Sequence, residues 1–142
     1  MTILGIGNEL RGDDAAGVLV ARKLKEKITN RSGILCIEGA EAPENFTSVI
    51  RRFSPDLLIL VDAGALSLKP GSIRWLSIED ISGGMGTHGI SLADFSLYLQ
   101  KEIKCQIGFL VIQAGTNDFG DPLTLAVKRA IRRAINTLSE QL

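Results

Sequence analysis

Two aspartates and the one histidine of this chain are the groups best placed to do chemistry. Asp14 closes the polar stretch Gly7-Asn8-Glu9-Leu10-Arg11-Gly12-Asp13-Asp14, which follows the apolar run Ile3–Ile6. Asp62 follows Leu58-Ile59-Leu60-Val61, and His88 lies in a glycine-rich segment. A carboxylate at the end of an apolar run is partly desolvated and needs a cation, a metal or dense hydrogen bonding. Together, two carboxylates and an imidazole form a mixed oxygen and nitrogen donor set. Such a set leaves coordination positions open for water or a substrate group, and a metal there can polarise a carbonyl or acidify water. Each residue also has a plainer reading. Asp62 could cap a loop through backbone N–H groups. Asp13 and Asp14 precede a helix, where one could be the cap and the other free. His88 could be a surface-loop histidine.

The elements that would position these residues follow from periodicity. Ile3–Ile6 reads as a strand. Val18, Leu19, Ala21, Leu24 and Ile28 fall at helical spacing within 14–28. Ile34–Ile37 reads as a second strand, and Pro43 opens a helix that ends at Ser54-Pro55. Leu57–Val61 is a continuous apolar run, as in a strand covered on both faces. Pro70-Gly71 is a turn before a shorter strand, Ser72–Leu76, and the glycines around 82–87 read as a mobile loop. A helix over Leu92–Ile103 with Ser91 as its cap, a strand over Phe109–Ile112 and a helix over Pro122–Leu138 complete the order β-α-β-α-β-β-α-β-α. This alternation implies an α/β sandwich with a mostly parallel sheet. The 72–76 strand follows its predecessor without a helix, so it is expected to be antiparallel or at an edge. Ligands of open α/β sheets bind beyond the carboxyl ends of the strands. The first and third strands would bring Asp14 and Asp62 to one such edge, with Glu38 and Gly39 after the second strand.

Composition narrows the functions. The length of 142 residues suits one domain spanning 1–142. Sixteen Lys and Arg balance sixteen Asp and Glu, without the basic excess that nucleic-acid binding normally requires. No apolar run approaches a membrane span. Met1 leads into an apolar stretch without a basic region, so no signal peptide is expected. One histidine excludes an HExxH site, and Cys36 and Cys105 form no CxxC; they read as reduced, buried thiols of a cytoplasmic protein. The basic cluster Lys128, Arg129, Arg132 and Arg133 reads as a solvated helix face. A P-loop is absent. Gly5-x-Gly7 hints at a dinucleotide fingerprint with Glu38 as the ribose acid, but Leu10 stands where the third glycine belongs, and Asp13 and Asp14 would repel a pyrophosphate.

Gly7-Asn8-x-Leu10-x-x-Asp13-Asp14-x-x-Gly17, then Asp62 in Leu-Val-Asp-Ala, then His88 followed by Ser91-Leu92-Ala93-Asp94, resemble in order and spacing the signatures of the [NiFe]-hydrogenase maturation endopeptidases. Glu41-Ala42-Pro43-Glu44-Asn45 is most similar to the branch serving formate-hydrogenlyase or energy-converting hydrogenases. The resemblance implies a three-layer α/β sandwich, with a twisted, mostly parallel five-stranded sheet flanked by helices. It implies an endopeptidase that removes the C-terminal extension of a hydrogenase large-subunit precursor after nickel insertion. Nickel would arrive with that precursor and be met by Asp14, Asp62 and His88, without an organic cofactor. Glu38 and Gly39 would help position the tail.

Two departures from the family pattern stand out. The family commonly has Asp-Gly-Gly after the second strand, where this chain has Glu38-Gly39-Ala40; near the last strand a proline often follows Gln, where this chain has Ala114. Two roles for the metal stay open: it activates the attacking water, or it licenses binding while an aspartate acts as base in the manner of an aspartyl protease. The alternatives of another class are a non-catalytic nickel-binding assembly module and a nucleotide-binding domain.

Overall fold

The computed structural model describes residues 1–83 and 89–142, and side chains for all of these except 89–91. Its centre is a five-stranded sheet in the order β2-β1-β3-β5-β4. The strands are β1 (Thr2–Ile6), β2 (Leu35–Ala40), β3 (Leu57–Gly64), β4 (Ile73–Leu76) and β5 (Gln106–Gln113). The strands β2, β1, β3 and β5 run parallel, while β4 pairs antiparallel with β5 at the edge, as its lack of a crossover helix requires. Gly71, at φ +87, makes the turn before β4 and donates its N–H to Gln113.

Side-chain alternation divides the core in two. On one face Ile3, Ile59, Val61, Leu110 and Ile112 pack against α1 (Ala16–Lys27) and α5 (Leu125–Glu140). On the other, Leu4, Ile6, Leu58, Leu60, Phe109 and Val111 pack against α2 (Thr47–Phe53), α3 (Ile78–Ser82) and α4 (Gly89–Ile103). This is the three-layer, mostly parallel α/β architecture expected.

Several boundaries differ from the sequence reading, each for a local reason. Pairing carries β3 on to Gly64, opposite Gln113, so Asp62 lies inside the strand rather than after it. A register shift between Gly5 and Ile6 carries β2 on to Ala40, so Glu38 and Gly39 are also strand residues. Asp14 belongs to a 3₁₀ turn, Gly12–Ala15, that precedes α1, and neither it nor Asp13 caps the helix through its side chain. Pro43 opens a second 3₁₀ turn, Pro43–Phe46, ahead of α2. Residues 78–82, assigned in part to a loop, form α3, started by a reciprocal capping box between Ser77 and Asp80. Ser91 lies within α4 rather than before it. The cap of α5 is Thr124, two residues after Pro122. The expected glycine loop beyond Gly83, and His88 with it, lie outside the described residues.

Candidate active site

The site begins with a close approach of backbones. A Cβ on Gly17 would stand 2.1 Å from the carbonyl oxygen of Val61 and 2.3 Å from that of Ile6. A Cβ on Gly5 would meet Gly17 O at 2.2 Å, and one on Gly7 would meet Asp14 O at 1.8 Å. These glycines let the first turns of α1 sit directly on the ends of β1 and β3. The consequence for the acidic residues is positional: the turn carrying Asp14 packs against β3, the strand carrying Asp62.

The three neighbouring acids have different surroundings. Asp13 is fully buried. Its Oδ2 accepts from Gly115 N at 2.7 Å, Thr116 N at 3.2 Å and Thr124 Oγ1 at 2.8 Å, and its Oδ1 accepts from Thr124 N at 2.7 Å. All its side-chain partners lie across the β5–α5 connection. Asp14 is half-buried, and its Oδ2 accepts from Asn8 N at 2.9 Å. Asp62 is 1% exposed, and its Oδ1 accepts from the N–H of Ala63 at 2.8 Å. By strand alternation Asp62 shares the face of Leu58 and Leu60, whereas Asp14 belongs to the α1 side. Among the described residues no group of three His, Cys, Asp or Glu side chains is placed to hold a metal. Asp14 and Asp62 are described members of the proposed triad, and His88 lies outside the described residues.

Beside this end of the sheet lies a cleft of about 620 Å³, lined in part by Asn8, Leu10, Glu38, Gly39, Ala40 and Phe46. Asn8 belongs to its wall and also holds Asp14. Glu38 points to solvent, and Arg22 joins it to Glu9 through ion pairs of 2.6 Å each. The guanidinium holds the Glu9 carboxyl below its usual range, chiefly through their hydrogen bond. Gly39 is buried against Leu4: a Cβ would stand 2.8 Å from Leu4 Cδ1 and would require that side chain to shift. Ala40 occupies the left-handed region at φ +51, and its carbonyl accepts the N–H of Gly7 at 2.9 Å, tying β2 to the start of the acidic loop. The alanine that replaces the family's second glycine thus keeps a conformation glycine would adopt more easily.

The second departure has a structural consequence too. Ala114 donates its N–H to Gly64 O at 3.1 Å, a bond that proline could not make. The preceding Gln113 accepts from Leu66 N at 2.6 Å and so orders the chain just after β3. Arg22 is not singled out by the sequence, and Asp13 and Gln113 enter there only as members of motifs, without a role in the site. The adjacent pair Asp13-Asp14 carried the one usable signal, since a single cap could not use both. Cys36 and Cys105 are free and buried in the cores on opposite faces of the sheet, and burial pushes the Cys36 thiol up to about 11. No helix among the described residues is long and apolar enough to cross a membrane.

Comparison with known proteins agrees with this geometry. Residues 18–141 match the family model of the HycI hydrogenase maturation proteases. The hydrogenase 3 maturation protease of Escherichia coli K12 is 36% identical over 141 residues, covering 96% of this chain and 86% of that protein. The crystal structure of the [NiFe] hydrogenase maturation protease HycI from Thermococcus kodakarensis superposes with a TM-score of 0.90 at 30% identity, over 98% of this chain and 89% of that one. The solution structure of the E. coli endopeptidase HycI superposes at 0.86 with 32% identity, over 99% and 90%. The family model over residues 18–141, the 36% identical relative and the shared fold lead to one conclusion: the chain belongs to the hydrogenase maturation protease family and is a peptidase.

Proposed function

We propose that this protein cuts the C-terminal extension from a hydrogenase large-subunit precursor that already carries nickel. The observation that supports the reading is the seating of the Asp14 turn on β3, the strand that carries Asp62, with an open cleft beside the loop after β1 and the end of β2. Nickel is here part of the substrate. Carboxylate oxygens and an imidazole suit a divalent cation that keeps other ligands, so Asp14, Asp62 and His88 are the proposed contacts to it. No organic cofactor is needed for hydrolysis. The precursor tail would run through the cleft past Glu38 and Gly39. Water adds to the scissile carbonyl carbon, its proton passes to a base, and the amide nitrogen departs protonated as the new amine. An aspartate of the pair is the proposed base, which makes the enzyme an aspartyl-type peptidase. The site of action is the cytoplasm, where precursor and peptidase meet before assembly.

The test is intact-mass spectrometry of nickel-loaded and nickel-free precursor with catalytic amounts of this protein. Loss of a C-terminal peptide from the loaded form alone supports the reading. Equal cutting of both forms overturns the nickel requirement. A stoichiometric complex without cutting would favour an assembly module instead.

A further inference from the structure

We infer that Asp13 is a positioning residue of the peptidase: its buried carboxylate fastens the acidic turn to the β5–α5 connection and so fixes where Asp14 meets the substrate. The inference rests on the proposed role of Asp14. Asp13 is 0% exposed, yet its side chain makes no hydrogen bond within its own turn. It gathers the N–H groups of Gly115, Thr116 and Thr124 and the Thr124 hydroxyl. Its own N–H donates to Thr116 O at 2.8 Å, so the turn is bound to this connection by both backbone and side chain. Gly12 just before it, at φ +53, lies so close that a Cβ would stand 2.7 Å from Thr116 O. On the far side, Asn8 N holds Asp14 itself. The turn is thus clamped from two directions, with Asp14 between the clamps.

Charge explains why an aspartate stands here. Both oxygens of Asp13 accept, so an asparagine in either flip would turn an NH₂ group toward an N–H donor. Thr124, as N-cap of α5, presents Asp13 to the helix N-terminus, where the dipole favours negative charge. Supporting groups behind metal-contacting side chains typically contribute about 10–100-fold in affinity or activity.

The experiment measures binding of nickel-loaded and nickel-free precursor to the wild type, Asp13→Asn, Asp14→Asn and the double variant, with thermal unfolding alongside. Asp13→Asn should lower the nickel-dependent gain in affinity about 10-fold or more, leave nickel-free binding unchanged, and add nothing in the Asp14→Asn background. An equal loss for both forms of precursor, or additive losses in the double variant, would overturn the inference and leave the role of Asp14 standing. A nickel-dependent gain unaffected by Asp14→Asn would overturn both. Should Asp13→Asn fail to fold, Thr124→Val removes one donor and keeps the carboxylate. It should lose part of the same gain, and Thr124→Ser should restore it; an undiminished gain in Thr124→Val overturns the inference.

Discussion

Adjacent residues of the same type have been given separate work here. The carboxylate of Asp13 is held by the β5–α5 connection, whereas that of Asp14 accepts from a single described donor, Asn8 N. Sequence could pair them but not assign them, because the partners of Asp13 lie more than a hundred residues away. Asp62 was legible as a carboxylate ending an apolar run; its place inside β3 was not, since pairing with Val111 extends the strand. Replacing Asp14 or Asp62 by asparagine removes a charge with little change in shape. Processing of nickel-loaded precursor should fall by about 10²-fold or more for each, while Asp14→Asn stays within about 0.5 kcal/mol of wild-type stability. Full activity in both variants would contradict the site. Ala40 supports a second prediction. A left-handed conformation costs a non-glycine residue about 1–2 kcal/mol, and glycine gives back about 0.4–1 kcal/mol through the unfolded chain. Ala40→Gly should therefore raise stability by about 0.5–1 kcal/mol, seen as a higher denaturant midpoint at unchanged slope.

Elements were more legible than their ends. Alternation and helical spacing gave the order, the mostly parallel sheet and the edge placement of β4, because burial on one or both faces sets those patterns. The short α3 was missed: five residues carry little periodicity, and its sign was the capping pattern Ser77-x-x-Asp80. The 3₁₀ turn before α1 was missed because the helical pattern does not distinguish it. The joint between α1 and the sheet makes an unusual demand. In an exposed helix, glycine to alanine gains about 1 kcal/mol. At Gly17 the added methyl would enter within 2.1 Å of Val61 O, which is backbone and cannot rotate away. Gly17→Ala should reverse the sign and destabilise by about 1–3 kcal/mol. It should also reduce processing, since α1 and the acidic turn would lift from β3. Thermal unfolding and a precursor-cutting assay on the same sample would separate this from an ordinary helix substitution, which would raise the midpoint and leave cutting intact.

At the scale of the whole molecule, Arg22 adds an electrostatic link between elements that already pack together. It reaches from α1 to Glu9 on the loop after β1 and to Glu38 on β2, bridging the rim of the cleft. All three side chains are at least a third exposed, so the network is screened and should contribute roughly 0.5 kcal/mol or less per pair. Its signature is the pH dependence. The Glu9 carboxyl sits below its ordinary value of 4.5 because Arg22 favours the ionised form. A depressed carboxyl contributes stability that is fully present above its unfolded value and is lost as pH falls through the folded one. Wild type should therefore unfold slightly above Arg22→Ala, by about 4 °C at most, at any pH from 5 to 7. The difference should shrink as Glu9 takes up its proton below about pH 4.5 and close at lower pH. Raising the salt at pH 7 should narrow it as well. A gap that persists unchanged into acid would mean that Arg22 acts through the packing of its aliphatic stem, and that the charges on the cleft rim do not hold its walls together.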